Sequence, residues 1–359
     1  MEFRSVEYME WAKLRSAAAV NLSQSGVAGL SLRDLPIGLE GCEINGDHAY
    51  GYPPLLEAIA ARSGAVPDAV VPSLGASEAV FLACAAILEK GDRVVIEKPG
   101  YEPLLSCARA MGAEIHRWER RFENGFGLDL EEFEASVPEG TKLVLMTNPH
   151  NPTGAFLPRD RIAALAEAAM RKGAMVFVDE IYLDYMDAVH SRTCFGAADN
   201  IFTASSLTKV YGLSGLRCGW LLAPAPLARK LRRLVDHLFV VHVFIAEQIA
   251  ARLFPHLDAI RGRNRALFDV HRRTVGDFVA SEPRLSWVEP PAGIFAFPRV
   301  EGLLDGNGLA DVLMKKYATS VVPGGFFEAP QHFRLGFGVP PDVLAQGLAN
   351  IHAALAEIR

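Results

Sequence analysis

Cysteine is scarce in this chain. Only five of its 359 residues are cysteines, at positions 42, 84, 107, 194 and 218, and no two form a C-x-x-C pair. That scatter excludes a disulfide framework and a cysteine-based zinc site, and it points to a reducing, cytoplasmic setting with no structural metal. Blocks of positive charge are missing as well. The formal net charge is −6 and no basic run is interleaved with aromatic residues, so nucleic acid is not an expected partner. A clean apolar run of membrane-spanning length is also lacking. The stretch HLFVVHVFIAEQIAARLF (237–254) is interrupted by His242 and Glu247 and reads as a buried or interface helix. The opening MEFRSVEYMEWAK carries acidic residues and no apolar core of signal-peptide length, so a soluble protein is expected. No internal repeat or low-complexity linker is found.

What the chain does have is apolar material. Half of its residues are hydrophobic and 22% are charged, enough for a substantial core. The length favours two domains or one large α/β body. The runs DRVVIEK (92–98), KLVLMTN (142–148) and AMVFVDE (174–180) are continuously apolar and end in charged or turn residues. Such runs suit strands buried on both faces of a parallel sheet. Between them, SEAVFLACAAILEKG, EPLLSCARAMG and RDRIAALAEAAMRKG read as helices, the last ending at Lys172 and Gly173. The alternation predicts an α/β fold, a mostly parallel sheet sandwiched by helices. From about residue 256 a long amphipathic pattern leads into short strands and turns, which predicts a smaller α+β domain. The expected division is 36–262 for the large domain, with 1–35 and 263–359 forming the small one.

In open α/β sheets, ligands bind beyond the carboxyl ends of the strands, so the residues that follow each strand carry the chemistry. Gly75-Ala76-Ser77 opens a helix, where free N–H groups and a hydroxyl make an anion site, or where Ser77 is simply a cap. NPHNPTG (148–154) contains two Asn-Pro pairs; proline restricts both itself and its predecessor, which would hold Asn151 rigidly. Asp179 falls where an apolar strand ends, and an unpaired carboxylate there is expensive, so it needs a partner or an exposed strand end. Tyr182, three residues on, could face the same crevice. Lys209 stands among Ser205, Ser206, Thr208 and Arg217, donors suited to a phosphate, with glycines at 212, 215 and 219 that let backbone come close. Another cation nearby lowers a lysine's pKa and makes its amine nucleophilic, whereas a solvated loop would leave it ordinary. Tyr101 could stack on a flat ring. Arg334, between apolar residues, calls for a carboxylate ligand or an internal ion pair.

Taken together, the motifs GASEA, P-x-Y, NPxNPTG, DEIY, S-x-x-K-x-x-G-x-x-G-x-R and R-L-G-F, in this order from about residue 40 to 340, resemble the class I/II aminotransferases, pyridoxal 5′-phosphate enzymes of fold type I. The resemblance implies that Lys209 is the Schiff-base lysine and that Asp179 faces the pyridine nitrogen. It further implies that Tyr182 and Asn151 bond the ring's phenolic oxygen and that Tyr101 stacks on the ring. Ala76, Ser77, Ser206 and Arg217 would hold the phosphate, and Arg334, with Asn151, the substrate α-carboxylate. Tyr50, or Tyr52 beside it, would reach the phosphate of a neighbouring subunit, which implies a homodimer with shared active sites. The implied reaction is ping-pong transfer of an amino group from an L-amino acid to a 2-oxo acid.

Two departures from the family pattern stand out. Leu55-Leu56 replaces a frequent Leu-Arg. The segment before Gln248, often rich in Ser and Thr, here reads VVHVFIAE, which points to an apolar or aromatic donor. A C–S lyase or another eliminating or cyclising enzyme of the same fold would share every motif, so it remains the alternative. A non-catalytic sensor of the kind fused to transcription regulators would need a DNA-binding segment, for which the chain before residue 40 offers no room.

Overall fold

The structure is a computed structural model that describes residues 4–302 and 307–358. Its central sheet has seven strands in the order Val70–Ser73, Gly219–Leu222, Ile201–Ser206, Met175–Asp179, Thr141–Thr147, Arg93–Lys98, Glu114–Glu119. All neighbours are parallel except Gly219–Leu222, which runs against both of its partners. The three apolar runs of the sequence are strands of this sheet, and their lack of alternation has a direct cause. Val94 and Ile96 enter one core with Leu143, Leu145, Phe177 and Phe202. Val95 enters the opposite core with Val144, Met146, Val176 and Val178. Side chains alternate faces along a strand, so a strand covered on both sides has no polar positions to spare.

Helices close both cores. Ala76–Ile87, Glu102–Ala110 and Ala225–Leu238 cover the first through residues such as Ala79, Leu104 and Leu231. Leu130–Ser136 and Arg159–Arg171 cover the second through Phe133, Ile162 and Leu165. The last of these starts after Pro158, carries Asp160 in its first turn and stops before Gly173, whose φ of +85° ends the helix.

The segment 237–254 departs from the single helix expected. The helix Ala225–Leu238 stops, and a new one runs from Phe244 to Leu253. Val240 lies between them at a φ of 63°, a conformation that β-branched residues rarely adopt. The linker is apolar yet exposed on the single chain, with Val240 at 69% and Val243 at 51%.

The remaining elements pack at the sheet's carboxyl edge. Val20–Asn21 pairs in parallel with Thr319–Ser320, and Phe333–Gly336 lies between Phe295–Ala296 and Val322–Pro323. The helix Leu257–Ser281 passes unbroken through position 262, the boundary set from sequence. One core also unites Trp220 and Leu222 of the central sheet with Phe333 and Leu348 of the C-terminal part. Among the described residues no helix is long and apolar enough to cross a membrane.

A strap of chain, residues 22–27, crosses the carboxyl edge because Gly336 lets it in. The Gly336 N–H donates to the Leu22 carbonyl at 2.7 Å, and a Cβ at 336 would stand 2.0 Å from the Gln24 carbonyl oxygen. Backbone cannot yield that much locally. Gly336→Ala is expected to lower stability by about 2 kcal/mol or more, measured by urea unfolding.

Candidate active site

Six of the seven strands run the same way and end on one edge, and a cavity of about 220 Å³ opens there. Its wall contains Ala76, Ser77 and Tyr101 from the first two strand–helix junctions, Asn151 and Asp179 from the next two, and Tyr182, Thr208, Lys209 and Arg217. A larger cavity of about 530 Å³ lies around Arg62, Asp184 and Asp258, where Arg62 pairs with both acids.

One end of the smaller cavity is a cradle of donors. The helix Ala76–Ile87 begins after Gly75, whose φ is +87°, and its first-turn N–H groups lack intrahelical partners. Arg217 adopts a left-handed φ of 49°, uncommon for a side chain of its size, and its guanidinium donates to the Leu74 carbonyl at 2.7 Å. A Cβ at Gly75 would meet that guanidinium at 2.7 Å, and one at Gly219 would meet the Gly75 Cα at 2.6 Å. The two glycines therefore create the space in which Arg217 approaches the helix N-terminus. Ser206 sits one layer behind: its hydroxyl donates to the Thr208 hydroxyl at 2.9 Å, and it is Thr208 that reaches the wall.

In the middle, Asp179 ends its strand almost fully buried and accepts the Ile181 N–H at 3.0 Å. Burial pushes its pKa up to about 7; Glu180 and Glu97 add to the rise, and the Ile181 N–H and Lys209 oppose it. Burial lowers the Lys209 pKa to about 8, with help from Arg334 and Arg217 and against Asp179. The Lys209 Nζ donates to the Ser25 hydroxyl at 3.1 Å. Tyr182 is buried, and burial raises its phenol above the usual range. Tyr101 stands edge-on to Tyr8, with 6.1 Å between ring centroids.

Behind the wall formed by Tyr8, Ser23 and Asn151, Arg334 is fully buried. Its guanidinium donates to Asn151 Oδ1 at 2.8 Å, the Tyr8 hydroxyl at 2.6 Å and the Ser23 carbonyl at 3.2 Å, and its Nε has no partner. Among the described residues no carboxylate pairs with it, so the internal ion pair left open by the sequence is not made. Asn151 is fixed from behind: its N–H donates to the Thr147 hydroxyl at 2.9 Å, and that hydroxyl donates to Glu97 at 2.7 Å. Glu97 is itself held by Arg120 at 3.0 Å.

Tyr50 lies outside this cavity. It is 48% exposed, and its hydroxyl is 3.4 Å from Asp236. Tyr52 is also absent from the wall; its N–H donates to Glu247. Sequence reasoning did not select Tyr8, Ser23, Ser25 or Thr147. The run of small polar residues LSQSG (22–26) between two apolar stretches was the available signal for two of them.

Comparison with known proteins gives the family. Residues 45–351 match the family model described as aminotransferase class I and II. The chain is 33% identical to the capreomycidine synthase of Streptomyces vinaceus over 84% of this chain and 78% of that protein. It is 31% identical to the arginine–pyruvate transaminase AruH of Pseudomonas aeruginosa, over 83% and 78%. The solved structure of a PLP-dependent cyclase, OrfR, superposes with a TM-score of 0.88 at 27% identity, covering 99% of this chain and 98% of that one.

A buried carboxyl with a raised pKa is a cost to the cofactor-free fold. The folded value of about 7 exceeds the ordinary carboxylate value, so the penalty is full above pH 7 and fades as pH falls toward 4. Asp179→Asn is expected to stabilise the cofactor-free protein by on the order of 2 kcal/mol at pH 8, with the gain shrinking by pH 5, in denaturant titrations at the two pH values.

Proposed function

This chain belongs to the class I and II aminotransferases, enzymes dependent on pyridoxal 5′-phosphate, and on that premise we propose that it transfers the amino group of an L-amino acid with a neutral or basic side chain to a 2-oxo acid. The observation that carries the reading is the meeting of two unusual cations. Lys209, in the wall of the small cavity, has an amine of depressed pKa, and Arg334, fully buried and without an acidic partner among the described residues, stands directly behind that wall, bonded to its members Asn151, Tyr8 and Ser23.

The residues fit the cofactor. Arg217, Ser77, the N–H groups at Ala76 and the Ser206–Thr208 pair suit a phosphate dianion, each charge-assisted bond contributing about 1.5–3 kcal/mol. Asp179 suits a ring nitrogen: with a cationic partner its charge is stabilised, and it keeps a proton on that nitrogen. Tyr182 and Asn151 suit the phenolic oxygen, and Tyr101 the ring face. Bound there, the cofactor supplies an aldehyde for the amine and a ring that draws electrons from the substrate α-carbon. Lys209, a substantial fraction of it neutral at pH 8, takes the α-proton at Nζ and later returns it, a transfer worth roughly 10²–10⁴-fold. Arg334 holds the α-carboxylate, with Asn151 held in register by Thr147 and Glu97.

The donor's side chain is limited by what remains of the wall. Among the described residues that line the cavity, the cations are Lys209 and Arg217, both already assigned. Ser16, Gln24, Met9 and Ala12 offer neutral polar and apolar surface, which disfavours an acidic side chain. The apolar segment 240–246, from which an apolar donor was expected, lies outside this wall. A relative named for arginine supports a basic donor. A second reading, ring closure on an amino acid, is favoured by likeness to a capreomycidine synthase and a cyclase. The proposal includes a homodimer: Val240, Val241 and Val243 are exposed apolar side chains, and half-exposed Tyr50, outside its own cavity, is offered to a neighbour.

An amino-acid panel with pyruvate, analysed for products, separates the readings. A 2-oxo acid together with alanine supports transfer; a cyclic amino acid with no net loss of nitrogen supports ring closure. Lys209→Ala is expected to lose the visible cofactor band and at least roughly 10²–10⁴-fold in rate. A normal rate in that variant contradicts the assignment.

A further inference from the structure

We propose that Ser25 is a positioning residue that holds the free amine of Lys209, beside the Tyr182 phenol, in the orientation from which it exchanges the substrate α-proton. The inference rests on the reading of Lys209 as the proton-transferring base.

A free lysine amine ends a chain of four rotatable bonds, and proton transfer to carbon requires it to be in one place. Among the described residues, the Ser25 hydroxyl is the hydrogen-bond acceptor of Nζ, at 3.1 Å. That hydroxyl is itself well fixed. Ser25 is 7% exposed and belongs to the strap, which is tied at both ends: the Leu22 N–H donates to the Ser320 carbonyl at 2.8 Å, and the Val27 N–H donates to the carbonyl of Lys209 itself at 3.2 Å. At Gly26 an added Cβ would already stand 3.3 Å from Lys209 Cδ. Strap and lysine are therefore packed as one unit.

A serine hydroxyl has one donor and two acceptor sites. Here it accepts from Nζ, and Tyr182 lines the same cavity wall. The hydroxyl also adds no charge among Arg334, Arg217 and Asp179, the charged groups that act on Lys209. When the α-proton leaves carbon for Nζ, its bonding pair stays with the substrate. Ser25 accepts an N–H of the new ammonium and neither gains nor loses a proton.

The test compares wild type, Ser25→Ala and Ser25→Thr. In reconstituted enzyme, α-deuterium exchange from D₂O is followed by NMR for the panel amino acid that wild type exchanges fastest, and its dissociation constant by spectral titration. In cofactor-free protein, the pH midpoint of Lys209 acylation by acetic anhydride is read by mass spectrometry. Ser25→Ala should slow exchange about 10–100-fold, change the dissociation constant by less than about 3-fold, and move the acylation midpoint to lower pH, because the ammonium loses an acceptor. Ser25→Thr, which keeps the hydroxyl, should recover both. Exchange in Ser25→Ala within about 3-fold of wild type, or a loss matched by equally weakened binding with an unmoved midpoint, would overturn the proposal. Exchange that survives Lys209→Ala would instead overturn the reading beneath it, a result obtained without touching Ser25.

Discussion

The site depends on a buried carboxylate and a half-buried amine that share one crevice and few partners. Asp179 ends a fully covered strand, and Lys209 follows the next strand of the same sheet. Each pays in solvation, so the acid's pKa rises to about 7 and the amine's falls to about 8. The two shifts share their largest cause, burial at the carboxyl edge, and they serve opposite ends of one reaction. The acid waits for a cationic ring, and the amine is poised to be neutral.

The rest of the fold serves that edge. A buried ion pair, Glu97 with Arg120, anchors Thr147, which anchors Asn151, which meets Arg334. Such a buried pair is a weak source of stability, because desolvation opposes its attraction. Its consequence here is geometric: Asn151 and Arg334 are fixed without any carboxylate touching the guanidinium. Arg334 is thus left short of negative charge in a place that a substrate carboxylate can fill. The helix Glu7–Leu14 adds Tyr8 to the same guanidinium, and Glu102 accepts the N–H groups of Glu7 and Tyr8 at that helix's start.

Much of this was legible in the chain because the constraint is local. The runs at 92–98, 142–148 and 174–180 have apolar middles since both faces are buried, and Tyr101, Asn151 and Ile181, within three residues beyond them, line the site by topology. Gly75 and Gly219 are needed where backbone and Arg217 crowd one helix end, and that need is written in the sequence. Contacts made across long separations were not legible. Tyr8 meets Arg334 over 326 positions, and Ser25 meets Lys209 over 184; nothing in either neighbourhood announces its partner. The break at Val240 was hidden for a different reason. Its residues are apolar at helical spacing, and only the strained backbone conformation separates two helices from one.

Ser206 shows how a motif can name a neighbourhood without naming the contact, for it lies behind Thr208 and touches the cavity through it. The central claim concerns one nitrogen, and it can be examined covalently. The protein is loaded with pyridoxal 5′-phosphate, reduced with borohydride, digested and sequenced by mass spectrometry. The account predicts the phosphopyridoxyl group on Lys209. Finding it on a different lysine, or finding no modified lysine in protein that has bound the cofactor, would contradict it.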